Sequence, residues 1–360
     1  MIPAAKPIIG DEERAAVDRV LRSGMLAQGP EVAAFEEEFS KFVGGRHCVA
    51  MNSGTSALHL GFIAAGIKPG DEVIVPSFSF AATANSVVLA GGVPVFADID
   101  PKTFNLDPNH AESLITKKTK AIMPVHLYGH IAAMDRFAEI SKKHDVAIIE
   151  DAAQGHLASL NGKNSGEFGV VASFSFYPTK NMTAGEGGMV VTESAEIARM
   201  LRLLRNQGQE IRYQNEVIGF NTRMTDIHAA IGRVQLAKLS GWTAQRQENA
   251  AYLDANLKGV ITPYVATNST HSYHQYTIRI AGGDAKVRDE FMKRIGEKGV
   301  GSGVYYPTPI HRLPSFNLNL DLPETELVIK ECVSLPVHPS LSQSELETIV
   351  SVVNEVAAAL

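Results

Sequence analysis

Between Asp71 and Thr192, short Val/Ile-rich runs alternate with longer stretches of helical pattern, and no other feature of the chain restricts its fold so tightly. The runs are Asp71–Val75 (closed by Pro76), Val93–Ala97, Ala121–Val125, Val146–Glu150, Val171–Phe176 and Gly188–Thr192. A helical stretch of small residues, Ala81–Ala90, separates the first two. Unbroken apolar strands spaced by helices predict a largely parallel sheet covered on both faces. Sheets of that kind bind ligands beyond the carboxyl ends of their strands.

The pattern changes after about residue 240. Residues 243–257 read as an amphipathic helix rich in Arg, Gln and Glu, suited to bridging two domains, and 225–239 as a separate apolar helix. Tyr273–Ile280 alternates like an antiparallel strand, and Lys286–Glu297 and Ser344–Leu360 read as helices. A chain of 360 residues suits one large and one small domain, expected at 1–245 and 246–360. Helices near Asp11–Leu21 and Glu31–Phe42 are expected to pack against one of the two.

Composition narrows the function classes. Hydrophobic residues make up 45% and charged residues 20%, which removes disordered, collagen-like and coiled-coil readings. The net charge is -6 and no Lys/Arg run forms a basic footprint, so no nucleic-acid partner is expected. An anionic substrate would need a local basic or amide-rich pocket. Cys48 and Cys332 lie far apart with no CxxC or Cys/His spacing, so no metal site is expected and both read as buried thiols in a reducing compartment. Met1–Lys6 lacks the apolar core of a signal peptide. No stretch reaches the roughly 18 apolar residues of a membrane span, so the expected location is the cytoplasm.

Three local features carry candidate chemistry. Asn52-Ser53-Gly54-Thr55 is a polar turn leading into an apolar helical run that ends near Gly66. Such a helix start either binds an anion on its free N–H groups or is simply capped by Ser53 or Thr55. Glu150-Asp151-Ala152-Ala153-Gln154 closes the run Val146–Ile149. A carboxylate there could hold a cation, bind a metal, or cap the next turn. Lys180 lies between the aromatics of Phe174-Ser175-Phe176-Tyr177 and the turn Gly185-Glu186-Gly187-Gly188. It is either a solvated surface group or a partly desolvated amine made nucleophilic by a lowered pKa.

In this order the features resemble the DegT/DnrJ/EryC1/StrS family of pyridoxal-phosphate (PLP) sugar aminotransferases. The resemblance also takes in Gln28-Gly29-Pro30, Gly70–Pro76, Val125-His126-Leu127-Tyr128-Gly129, Gly219–Met224, Tyr306-Pro307 and Leu335–Pro339. It implies an aspartate-aminotransferase-like fold, with a mostly parallel seven-stranded sheet and a smaller C-terminal α+β domain.

It also implies roles. Lys180 would form the Schiff base with PLP and carry a proton between cofactor and sugar carbons. Asp151 would pair with the pyridine nitrogen, Gln154 with the ring hydroxyl, and Phe80 would stack on the ring. Gly54, Thr55 and Ser175 would hold the phosphate, with Asn221 reaching in from a second subunit of a homodimer. Tyr306 and His311 would touch the substrate, while His126 and His156 read as structural hydrogen-bonding groups. The amino donor would be an amino acid, by analogy glutamate, and the acceptor a nucleotide-linked keto-deoxysugar. A carbocyclic ketone as acceptor, a dehydratase, and a non-catalytic sensor of PLP or sugar nucleotide are the rival readings; Lys180 argues against the dehydratase branch, which carries histidine there. The sequence departs from the family where it reads Tyr305-Tyr306-Pro307 instead of His-Tyr-Pro, and where Leu157 replaces a glycine.

Overall fold

The computed structural model describes residues 1–282 and 284–360. Its strands, in chain order, are β1 (His47–Met51), β2 (Glu72–Pro76), β3 (Val93–Ala97), β4 (Thr119–Ile122), β5 (Ala147–Asp151), β6 (Ser159–Leu160), β7 (Lys163–Asn164), β8 (Val171–Ser175), β9 (Gly188–Thr192), β10 (Ser269–Thr270), β11 (Tyr276–Arg279) and β12 (Cys332–Leu335). Seven of them form one sheet in the order β1-β9-β8-β5-β4-β2-β3. The pairs β3–β2, β2–β4, β4–β5 and β5–β8 are parallel, and β9 runs antiparallel to both its neighbours. The mostly parallel α/β fold expected from the alternation is therefore the fold observed.

The sequence reading missed β1, a five-residue run, His47-Cys48-Val49-Ala50-Met51, with a single β-branched residue. Burial explains why it is a strand: Cys48 through Met51 are all buried, and β9 supplies the backbone ladder. The two helices expected at 225–239 and 243–257 are one continuous helix, Asp226–Asn256, capped by the Thr225 hydroxyl. Gly241 interrupts nothing, because a single glycine lowers helix stability by only about 1 kcal/mol and removes no hydrogen bond.

The C-terminal part of the chain contributes to a separate core. Tyr276, Ile278, Phe291, Ile295, Val333, Leu335, Ile349 and Val353 pack with Leu253 and with Ile2 from the other end of the chain. The N-terminal segment therefore touches both parts of the molecule. Ile2 pairs with Val300, while helix Asp11–Ser23 reaches helix Asp226–Asn256 through Glu13, which accepts from Gln235 Nε2 at 2.8 Å and Lys238 Nζ at 2.9 Å. Leu157 adopts φ 59°, the left-handed region, so the leucine occupies the backbone conformation a glycine would favour.

Among the described residues no helix is long and apolar enough to cross a membrane.

Candidate active site

The carboxyl ends of β1, β2, β4, β5 and β8 open onto one cavity of about 490 Å³. Its wall includes Gly54, Thr55, Phe80, Asp151, Gln154, Ser175, Lys180 and Tyr306. Eight residues expected at the site from separate parts of the chain thus meet in one place. The parallel strands cause this, since each delivers its following turn to the same edge of the sheet.

The turn after β1 starts helix Gly54–Ala64. Ser53 Oγ accepts from Ser56 N at 3.1 Å, so the capping reading of this turn holds. Capping satisfies only one of the first N–H groups, and those of Gly54 and Thr55 have no partner within the helix. Gly54 packs so closely on β8 that a Cβ there would lie 2.7 Å from Ser175 Cβ. A larger residue would push the helix start off Ser175 and split the amide-and-hydroxyl cradle.

Glu150 and Asp151 are adjacent at the end of β5, and strand alternation sends their side chains to opposite faces. Glu150 accepts from Gly166 N (2.8 Å), Phe168 N (2.9 Å) and Gly169 N (2.7 Å), and lies 2.9 Å from His126 Nε2. Burial alone would push its carboxyl up, but His126 and these N–H groups outweigh it and hold the pKa below the ordinary value. Glu150 is the structural member of the pair, and His126, fully buried against it, is structural too.

Asp151 faces the cavity with fewer donors: Thr83 Oγ1 at 2.8 Å and Ala153 N at 3.1 Å. Burial raises its pKa against the pull of Thr83, Ala153 and Lys180. A buried carboxylate short of partners is matched to an incoming cation. Thr83 was not singled out from the sequence. It sits one helical turn beyond Phe80, and Ser79 Oγ is 2.8 Å from its hydroxyl.

Lys180 lies on the turn leaving β8. The turn is tied down by Lys180 N donating to Tyr177 O (2.9 Å), and Phe176 anchors it in the core against Phe35 and Phe39. Desolvation draws the amine's pKa down to about 8, opposed by the nearby Asp151 carboxylate. That value makes Lys180 a nucleophile within reach of neutral pH. His156 is buried against Phe174 and Phe176, and burial together with Lys180 lowers its pKa to about 3, so it stays neutral.

Gln154 is held by both ends of its amide: Oε1 accepts from Tyr128 N at 2.8 Å and Nε2 donates to Tyr306 Oη at 3.2 Å. Phe80 is 55% exposed at the mouth, with its ring 5.7 Å from that of Tyr306. Tyr305, the residue that departs from the family's His-Tyr-Pro, also lines the cavity, as does His274, which was not expected from the sequence.

Two expected residues are elsewhere. Asn221 is exposed and lies outside the cavity of its own chain, paired with Asn206. His311, expected against the substrate, is fully buried behind the wall, with Nδ1 2.5 Å from Ser77 Oγ and Nε2 3.3 Å from Glu326. Its side chain is fully buried and is not part of the cavity wall, which removes it from direct substrate contact in this arrangement. Among the described residues no His/Cys/Asp/Glu group has the arrangement of a metal site.

The donor set fits PLP. A helix start and a serine can take the phosphate, an under-partnered carboxylate can take a pyridinium, and a lysine of lowered pKa can take an aldehyde. Relatives agree with this fit. A pleiotropic regulatory protein of Geobacillus stearothermophilus is 42% identical over 94% of this chain and 92% of its own length. The UDP-2-acetamido-2-deoxy-3-oxo-D-glucuronate aminotransferase of Pseudomonas aeruginosa is 39% identical over 95% of each chain. The crystal structure of NtdA from Bacillus subtilis, with bound cofactor PMP, superposes with TM-score 0.89 at 32% identity, covering 98% of this chain and 83% of that one. The model of the DegT/DnrJ/EryC1/StrS aminotransferase family matches residues 7–354, and this chain belongs to that family.

Proposed function

We infer that this protein is a PLP-dependent aminotransferase that delivers an amino group to the keto carbon of a nucleotide-linked deoxysugar. The observation that carries the reading is the joint presence of Lys180 and Asp151 in one cavity, the amine drawn down and the carboxylate left short of partners. The relative that acts on a UDP-linked 3-oxo sugar supports the substrate class.

Bound in this cavity, PLP supplies an aldehyde for amine capture and a ring that withdraws electrons. Lys180 Nζ would hold the cofactor's aldehyde and, once free, would serve as the amine that moves a proton in the site. Asp151 keeps the ring nitrogen protonated, since an opposite charge favours the charged form. Gln154 hydrogen-bonds the ring hydroxyl, and Phe80 covers one ring face. Gly54, Thr55 and Ser175 hold the phosphate, and Asn221 of a second copy reaches in from across a homodimer interface. Tyr306 contacts the sugar. The amino donor is an amino acid, by family analogy glutamate, and the setting is the cytoplasm. We read residues 1–245 and 246–360 as the two domains that enclose the site.

The test is direct. The pyridoxamine form is mixed with a panel of nucleotide-linked 3-keto and 4-keto sugars, and return of the aldehyde cofactor's absorbance is followed. Return with one of them establishes the acceptor. Return only with a carbocyclic ketone moves the enzyme to aminocyclitol-type chemistry. A bound chromophore with no turnover on any ketone would favour a sensor, a reading that the regulatory name of one relative keeps in view.

A further inference from the structure

Two separate stretches form the outer wall of the cavity. Residues 77–83 follow β2 and carry Phe80 and Thr83; residues 303–309 cross from the small-domain side and carry Tyr305 and Tyr306. The stretches meet behind the wall at His311. Ile310 N donates to Ser77 O at 2.9 Å, and His311 Nδ1 lies 2.5 Å from Ser77 Oγ. The Glu326 carboxylate, 3.3 Å from Nε2, favours a proton on that nitrogen, so Nδ1 accepts from the Ser77 hydroxyl. Glu326 is itself oriented by Arg312 Nε at 3.0 Å. Its helix, Pro323–Glu331, is pinned by Asp98, which accepts from Glu324 N, Thr325 N and the Thr325 hydroxyl at 2.7–2.9 Å. Every group around the imidazole is thus fixed in turn, and none of them lines the cavity.

From Ser77 the path into the site is short. Ser79 bonds Thr83, and Thr83 donates to Asp151. On the other stretch, Tyr306 accepts from Gln154 and faces Phe80. We propose that His311 is a positioning residue: its bond to Ser77 locks the two wall stretches together and so sets Phe80, Thr83 and Tyr306 around the cofactor. The inference rests on PLP occupying this cavity.

The test uses the holoenzyme reconstituted with PLP, and reads the visible circular dichroism of the bound cofactor and its release rate on dilution. Far-ultraviolet circular dichroism and the unfolding midpoint check the fold. His311→Phe fills the volume but accepts no hydrogen bond; PLP release accelerates about tenfold, the effect of losing one buried hydrogen bond, and the dichroic band weakens. Ser77→Ala does the same by itself, and decides the matter if His311→Phe does not fold. The double variant is no worse than either single one, because both remove one contact. His311→Asn places an amide oxygen near the Nδ1 position and restores most of the retention.

Additive losses, unchanged release in Ser77→Ala, or His311→Asn as poor as His311→Phe would each overturn the latch. Borohydride fixation of PLP on wild-type Lys180 is measured in parallel. If that adduct fails to form, the cofactor assignment falls; if it forms and the variants behave like wild type, only the latch falls.

Discussion

Glu150 and Asp151 are chain neighbours of the same chemistry, yet the two sides of β5 treat them in opposite ways. Behind the strand, Glu150 faces four nitrogens, those of Gly166, Phe168, Gly169 and His126. In front of it, Asp151 has a hydroxyl and one N–H and opens onto the cavity. Burial acts on both, but one pKa is lowered and the other raised. A carboxylate whose partners are complete holds the fold together; one whose partners are incomplete is kept ready for a ligand. The latter arrangement sacrifices stability for function, and the contrast between the two can be tested side by side.

The most severe effect is expected in front of the strand. Lys180→Ala removes the tether and the proton carrier together, so turnover drops below detection. The unfolding midpoint of the apoprotein stays level or rises, because a desolvated amine has been taken away. Borohydride should fix PLP to Lys180 in the wild type, and labelling of another lysine would show that the cavity has been misread. Lys180→Arg rescues nothing, since a guanidinium stays charged and cannot capture an aldehyde.

Next comes the pair itself. Asp151→Asn keeps a hydrogen bond but not the charge, and kcat falls about 10²-fold or more, as for other preorganised charges. Its stability is unaffected or improved. Glu150→Ala has the reverse profile: His126 and three backbone N–H groups lose their acceptor inside the protein, and urea unfolding shows a loss of about 3–5 kcal/mol. Equal losses of stability in the two variants would erase the distinction drawn here.

A pH series sharpens the comparison without mutation. Below the Lys180 pKa of about 8, capture of added PLP by the apoprotein speeds up about tenfold per pH unit, then levels off. The stability of the apoprotein follows the same group. Between about 8 and the ordinary lysine value of 10.5, the unfolded chain binds a proton that the folded chain does not. Stability contributed by this site therefore rises with pH across that window, and Lys180→Met lacks the rise. A capture rate that goes on rising about tenfold per pH unit through pH 9, with no levelling near 8, would mean the amine is not desolvated.

The smallest effect is expected at Thr83, whose hydroxyl is one of the two donors to the Asp151 carboxylate among the described residues. Thr83→Val leaves the packing and costs one hydrogen bond, about fivefold in kcat/KM. An effect as large as that of Asp151→Asn would mean Thr83 touches the reacting atoms itself.

The aligned strand runs, the capped turn at Ser53 and the neighbourhood of Lys180 were readable along the chain, because strand and helix periods and turn chemistry are local properties. β1 was not, since its strand character comes from the ladder with β9 and from burial of Cys48–Met51, not from its own composition. The single helix Asp226–Asn256 was read as two for a similar reason: a change in which face is buried looks like a break. At the site, the sequence by itself determined which side chains are available and, through the resemblance, which of them carry the chemistry. Only the tertiary structure decided that Glu150 is satisfied while Asp151 is not, that Thr83 supports Asp151, and that His311 stands behind the wall. Those distinctions depend on what lies across space from each group, in some cases more than 200 residues away along the chain, and a pKa or a hydrogen bond is set by that neighbourhood.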